Sequence, residues 1–519
     1  MKIALLAAYF AVLLLIGFKC RRRAGSVDGF VLGGRSVGAW LTAFAYGTSY
    51  FSAVVFVGYA GQFGWRYGIS ATWAGIGNAL IGSLLAWTVL GRRTRLLTQH
   101  LDSATMPEFF GKRFGDSKAL KLVASAIIFV FLVPYTASLY NGLSRLFGMA
   151  FSIDYTLCIV LMSVLTAIYV IAGGYLATAV NDFIQGLIML GGLVAVIAAV
   201  LSAKGGFSAA VDGLARVSDP GVSTSPGVFT SFFGPDPLNL LFVVILTSLG
   251  TWGLPQMVQK FYAISNEDAI RKGTVISTLF AFVIAGGCYF LGGFGRLFAD
   301  EIGVVEKGGA LAPAGGFDAI VPAMLSNLGP WLIALTVILV LSASMSTLSS
   351  LVITSSSTLT SDFVKETCWK KMSPKSEVLA IRVFVVVFIA ISGAIATVQY
   401  KGGLDFIAQL MGISWGALAG SFLAPFLYSL YWKRTTKAAC WASFAFGSGL
   451  MIANMLFRQS LPEILRSPIN AGAIAMLAGL AIVPAVSFVT KAPDQRFIDA
   501  LFACYEKTRQ TTAKNDLGE

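Results

Sequence analysis

The chain has 519 residues, of which 56% are hydrophobic and 12% charged, and its formal net charge is +13. Soluble domains carry roughly 25% charged residues, and apolar runs recur here from end to end, so no stretch is long or polar enough for a separate soluble domain. The positive charge falls mostly in alternate loops between the apolar runs, which signals orientation in a membrane rather than nucleic-acid binding.

A helix that crosses a bilayer needs about 20 apolar residues, and that ruler gives about thirteen spans. They are 3–18, 38–63, 70–90, 119–148, 154–171, 182–203, 238–261, 274–298, 330–357, 379–399, 404–432, 438–457 and 470–489. The first run has only Lys2 ahead of it, shows no clear small-x-small cleavage site, and is followed by Arg21, Arg22 and Arg23. It therefore reads as a retained helix with its N-terminus outside, not as a signal peptide. Loops 19–36, 91–118, 262–273, 358–378 and 433–437 are basic, as is the tail from 490, while the intervening loops hold fewer cations. The expectation is a multi-pass protein of the cell (plasma or inner) membrane with a cytoplasmic C-terminus. The charged tail is expected to include a short surface helix around Phe497–Cys504. Six scattered cysteines give no zinc-like spacing, so neither a disulfide nor a metal centre is expected. The lone His100 reads as a solvated loop residue.

Two spans are irregular. The second is interrupted at Gly47-Thr48-Ser49-Tyr50-Phe51-Ser52 and the seventh at Gly250-Thr251-Trp252-Gly253-Leu254-Pro255. Paired interruptions five spans apart point to two five-helix repeats of opposite orientation, with a binding site at the breaks. A carbonyl freed at a break cannot stay unpaired in a bilayer unless it lines a polar cavity, and such oxygens suit a small hard cation. Span 9 supplies further oxygens in Leu341-Ser342-Ala343-Ser344-Met345-Ser346-Thr347-Leu348-Ser349-Ser350, where Ala343, Ser346, Thr347 and Ser350 share a helical face. Small hydroxyl residues also serve close helix packing, but a run this dense is unusual for packing alone. Asp182, expected at the start of span 6, is an ionisable residue bordering a span; it is either functional or a helix N-cap.

These residues resemble the sodium:solute symporter family, which includes sodium/proline, sodium/glucose, pantothenate and sialic acid cotransporters. The resemblance runs from about Asp28 to Trp432 and is carried by Gly29-Phe30-Val31-Leu32-Gly33-Gly34-Arg35-Ser36 and Met106-Pro107-Glu108-Phe109. It is carried also by Gly173-Gly174-Tyr175 with Asn181-Asp182-Phe183-Ile184-Gln185-Gly186, and most sharply by Met345-Ser346-Thr347-Leu348-Ser349-Ser350. It implies an all-α membrane protein with a leucine-transporter-like 5+5 inverted-repeat core and two broken helices. The main sodium site it implies uses the carbonyls of Thr48, Phe51 and Ala343 and the hydroxyls of Ser346 and Thr347. Some members hold a second sodium at positions matching Asp182, Ser346, Ser349 and Ser350, so one or two Na+ ions are expected, and no organic cofactor. Tyr50 departs from the family, since sodium/proline members carry an aspartate there. That departure argues against a simple transfer of proline specificity.

The solute is expected between the breaks, facing Ser49, Tyr50, Ser52, Thr251, Trp252, Gln256, Ser414 and Trp415. Aromatic rings with a few polar groups suit an amphipathic solute, and no basic residue is expected in the cavity. The stripe Gly412, Gly416 and Gly420 reads as helix contact. Five regions follow the first segment 1–37: repeats 38–203 and 238–432, the external loop 204–237, two added helices over 433–489, and the tail 490–519. The function expected is sodium-coupled import of a small organic solute by alternating access, with an amino acid or small carboxylate ahead of sugar, sialic acid or vitamin. No catalytic set is present, so an enzyme is not expected. A channel lacks its ring of filter residues, a sensor lacks its signalling domain, and proton coupling would rest on Asp182. The expected partners are the solute and lipid, with no nucleic acid, and the monomer is the expected working unit.

Overall fold

In a bilayer every backbone polar group must be satisfied within the protein, which leaves helices as the way to use apolar runs of this length. A computed structural model describes residues 2–151, 154–326, 328–401 and 407–516. Met1, 152–153, 327, 402–406 (with the expected start of the eleventh span) and the last three residues of the tail lie outside the described residues. The described residues hold nine helices long and apolar enough to cross a membrane, or ten when one bent pair is taken as a span.

The first helix, α1, is Lys2–Cys20. The first broken span begins as α2, Ala39–Tyr50, and resumes in a π-helical turn, Val54–Tyr59, that leads into α3, Ala60–Tyr67. After these come α4, Lys118–Phe151, and α5, Tyr155–Ala203. The second broken span is α6, Pro237–Gly253, followed by α7, Pro255–Ala263, the two meeting at a bend of 46°. The serine-rich helix α8 is Pro330–Ser357; α9 is Pro374–Lys401 and α10 is Ile407–Tyr431. The chain closes with α11, Lys437–Phe457, α12, Pro468–Val489, and the tail helix α13, Gln495–Asp516.

One boundary differs from expectation. Spans 5 and 6 are a single long element, α5, kinked at Gly174 (φ 56, ψ −154) rather than separated over 172–181. Glycine is needed there on two counts, because a Cβ would stand in the left-handed region and 2.9 Å from the Phe30 carbonyl oxygen. The helix resumes at once, so Asp182 lies inside it and is not an N-cap. Leu157, Val160, Val164 and Ile168 on α5, and Leu379, Val383 and Val386 on α9, form exposed apolar stripes at helical spacing. Stripes of that length on outer helices suit lipid chains.

The backbone gives the relative direction of the two broken spans. Val37 N–H donates to the Ala263 carbonyl at 3.2 Å, and Ser265 N–H to the Val37 carbonyl at 3.0 Å. The residue just ahead of the first broken span thus pairs with the stretch just past the second. One enters where the other leaves, so they run antiparallel.

That end of the molecule also gathers the basic loops. Arg93 donates to the Leu430 carbonyl at 2.9 Å and Arg113 to the Ser429 carbonyl at 3.2 Å. Lys121 lies 3.5 Å from Asp362 and 3.2 Å from Glu366. The tail helix, longer than expected, lies on the surface at the same end, held by Lys433–Asp499 at 2.7 Å and by buried Phe502 and Tyr505 while Phe497, Asp499 and Ala500 stay exposed. The opposite end carries more structure than the loop expected over 204–237. It has a helix at Phe207–Ala215, a hairpin of β1, Val304–Lys307, with β2, Ala310–Pro313, and a cavity of about 1070 Å³. A buried ion pair, Arg296–Asp219 at 2.9 Å, ties these loops together. The glycine stripe makes helix contact, as read from the sequence: a Cβ on Gly416 would lie 2.7 Å from Gly472 Cα, and one on Gly420 would lie 2.7 Å from Ala475 Cβ.

Candidate functional site

The first break begins where α2 ends at Tyr50 and Phe51 turns to extended backbone (φ −106, ψ 100). Ser52 restarts the helix, because its carbonyl accepts from both Val55 N–H and Phe56 N–H at 3.0 Å and its Oγ accepts from Val54 N–H at 3.2 Å. In an unbroken helix the Thr48 carbonyl would accept from the N–H four residues on. Here it accepts instead from two hydroxyls of α8, Ser346 Oγ at 2.8 Å and Thr347 Oγ1 at 3.2 Å. The same two hydroxyls reach the Ala343 carbonyl, Thr347 Oγ1 at 3.0 Å and Ser346 Oγ at 3.4 Å.

Four of the five oxygens expected at the main sodium site are therefore joined directly. The fifth residue, Phe51, borders with Ser52 and Ala343 a gap of about 10 Å³ that is otherwise lined by apolar side chains such as Phe56, Met189 and Leu339, and not by Ser346 or Thr347. Hydroxyl protons rotate, so Ser346 and Thr347 can turn their lone pairs toward a cation. The donor set is all oxygen, which fits a small hard cation.

The residues expected at a second sodium site are arranged differently. Asp182 is fully buried on α5, and among the described residues neither carboxylate oxygen has a hydrogen-bond partner. Ser349 Oγ donates to the Ser346 carbonyl at 2.8 Å. Ser350 Oγ shares a 2.7 Å hydrogen bond with Ser49 Oγ and accepts from Lys260 Nζ at 2.8 Å. Lys260, on α7, is 1% exposed. The sequence reading placed no basic residue in the cavity, and the structure corrects it. The signal was present, because Lys260 falls within the expected seventh span and one helical turn beyond Gln256.

On the solute side, Tyr50 stacks on Phe51 at 4.3 Å between ring centroids and lies 5.9 Å from Trp415. Its hydroxyl donates to the Thr247 carbonyl on α6, linking the two broken spans. Trp415 meets Tyr135 edge-on at 5.9 Å. The Tyr135 hydroxyl faces the side chains of Ser52 and Trp415, and among the described residues both polar atoms of the Gln256 amide are buried without a hydrogen-bond partner. Groups of this kind are costly to bury, so a polar ligand would have something to satisfy.

The other expected solute residues use their polar atoms on neighbouring backbone. Thr251 Oγ1 donates to the Gly82 carbonyl at 3.1 Å, Trp252 Nε1 to the Ile81 carbonyl at 3.0 Å, and Ser414 Oγ to the Phe131 carbonyl. Ser49 turns toward Ser350, on the cation side. Ser52 stays near the break. Tyr135 was missed by sequence reading; the clue was Pro134, which interrupts α4 directly beside it.

The family model described as "Sodium:solute symporter family" matches residues 30–447. An osmoregulated proline transporter of Bacillus subtilis (strain 168) is 28% identical over 490 residues, covering 94% of each chain. A sodium/proline symporter of Staphylococcus aureus (strain JH9) is 30% identical over 467 residues, covering 89% of this chain and 87% of that protein. Among solved structures, a Na+-coupled sialic acid symporter in a substrate-bound outward-open state matches with TM-score 0.72 at 18% identity, over 95% of this chain and 99% of that one. That match speaks to the fold alone.

Proposed function

The chain belongs to the sodium:solute symporter family, and from that premise we propose that it imports a small amino acid or carboxylate by sodium-coupled alternating access. It is a membrane transporter and not an enzyme, and the family's use of sodium is the premise on which the finer reading builds. The observation that carries the proposal is the Thr48 carbonyl, released by the helix break and held by the hydroxyls of Ser346 and Thr347. Sodium, as co-transported substrate, would take the carbonyls of Thr48, Phe51 and Ala343 and these two hydroxyls.

The solute would lie against Tyr50 and Trp415, with Trp415 Nε1, the Tyr135 hydroxyl and the Gln256 amide as its polar partners. Aromatic walls with a few donors suit a compact solute bearing an apolar ring or chain and a carboxylate. The two relatives named for proline make L-proline the first compound to test. Tyr50, where sodium/proline members have aspartate, keeps other amino acids in the same test.

The cell-membrane orientation follows the basic end. With the positive loops inside, α1 starts outside and the tail helix is cytoplasmic, and nothing in the solute pathway calls for more than one subunit. One sodium entering down roughly 100 mV gains about 2.3 kcal/mol. A tenfold concentration gradient adds about 1.4 kcal/mol, so together they support roughly 500-fold accumulation. Proteoliposomes with an imposed sodium gradient and labelled L-proline test the reading. Accumulation that needs sodium and exceeds the outside concentration supports it. Uptake that follows a proton gradient without sodium would instead favour coupling through buried Asp182 and Lys260.

A further inference from the structure

Lys260 is the feature of the polar centre that sodium symport as described above does not use. Its ammonium is buried between both broken spans and α8. It donates to Ser350 Oγ at 2.8 Å, and Ser350 Oγ is shared at 2.7 Å with Ser49, the residue after the cation-side carbonyl of Thr48. It also stands 5.1 Å from the ring centre of Tyr175 on α5, a favourable cation–π placement.

A buried ammonium needs a counter-charge. The charged group acting on Lys260 is Asp182, and the charged group acting on Asp182 is Lys260. Asp182 is fully buried and has no hydrogen-bond partner among the described residues, so no neutral donor stands between it and a nearby cation.

Ser350 is one of the three serines that, with Asp182, would have to hold a second sodium. A hydroxyl oxygen has two lone pairs and one proton. Accepting from Lys260 uses one lone pair, and the bond with Ser49 uses either the other lone pair or the proton. At most one lone pair then remains for an ion. That ion would also bring a second positive charge toward a single carboxylate, beside an ammonium that cannot leave. Like charges at close range in a dry site disfavour one another strongly.

We propose that the Lys260 ammonium, held by Ser350 and balanced by Asp182, takes the place of a second sodium as a tethered cation, so that the chain binds and moves one sodium per solute. The inference deepens the sodium-symport reading and rests on it. It also gives Lys260 a positioning role, because it ties the inner half of the second broken span to α8 and, through Ser350 and Ser49, to the first break.

The test is equilibrium binding of 22Na+ to purified, monodisperse protein, which counts ions without needing transport. The wild type should bind one sodium per chain. Lys260→Met removes the charge at similar length and should raise the count to two, with the second ion lost again in Lys260→Met/Asp182→Asn. Lys260→Arg keeps a cation and should stay at one. A wild-type count of two would overturn the tethered cation while leaving sodium symport standing, and so would a folded Lys260→Met that binds one. A wild-type count of zero would overturn both. If Lys260→Met does not fold, Lys260→Gln removes the charge in its place with the same expected count of two, and a folded Lys260→Gln that binds one overturns the proposal.

Discussion

Removing the two hydroxyls that hold the Thr48 carbonyl should cripple sodium use without unfolding the protein. Ser346 and Thr347 each contact two carbonyls, Thr48 on the broken helix and Ala343 on α8. An oxygen acting on a charged group contributes about 1.5–3 kcal/mol, which is roughly 10- to 150-fold in affinity for each hydroxyl lost. Thr347→Ala alone should therefore raise the sodium half-saturation of uptake by at least about tenfold. Ser346→Ala with Thr347→Ala should push it beyond usable concentrations. Ser344→Ala is the control, because that hydroxyl is just as buried but bonds within its own helix, to the Val340 carbonyl at 2.8 Å. Sodium-titrated uptake in proteoliposomes, with thermal unfolding in detergent to verify folding, measures all three. If Thr347→Ala and Ser344→Ala showed the same sodium dependence as the wild type, the hydroxyl face of α8 would not belong to the cation site.

Tyr135→Phe should raise the KM for solute about tenfold, near 1.4 kcal/mol, while moving the unfolding midpoint little, because its hydroxyl faces only the side chains of Ser52 and Trp415 at the solute wall; a shifted midpoint with normal KM would make it structural. Gly174→Ala should destabilise by roughly 1–3 kcal/mol for a side chain held at that backbone geometry, read as a lower unfolding midpoint in detergent. Gly191→Ala, whose added Cβ meets nothing within 4 Å, should not do so. Asp219→Ala strands the buried Arg296 guanidinium and should cost about 3–5 kcal/mol, seen in the same assay; a loss below about 1 kcal/mol would mean that solvent reaches the pair.

The broken helices were legible because glycine, proline and hydroxyl residues stand out sharply in apolar runs. The break at Phe51 and the bend at Leu254 fall inside the stretches read from sequence. The oxygens of Thr48, Ala343, Ser346 and Thr347 were legible through resemblance, and the structure brings them within hydrogen-bond distance of one another. Two features were not. Whether a polar side chain faces a ligand or a neighbouring carbonyl depends on which helix packs beside it, and that is why Thr251, Trp252 and Ser414 looked free in sequence but are bonded to backbone in three dimensions. Lys260 was hidden for a similar reason. A lysine near a span end usually reaches the interface, whereas this one is buried past the bend and donates to Ser350.

The stretch 48–50 explains how ion and solute could sense each other. Three consecutive residues point to three places: the Thr48 carbonyl to the hydroxyls of α8, the Ser49 side chain to Ser350 and hence Lys260, and the Tyr50 ring to Trp415 with its hydroxyl on the second broken span. Were the helix to continue past Tyr50, the Thr48 carbonyl would be occupied along its own axis. Unwinding at Phe51 frees the Thr48 carbonyl for the ion and at the same time fixes where Tyr50 stands. An ion that pulls this carbonyl toward α8 therefore also sets one wall of the solute pocket. Coupling of this kind is reciprocal by thermodynamic necessity, so whatever affinity sodium lends the solute, the solute must return to sodium through the same three residues.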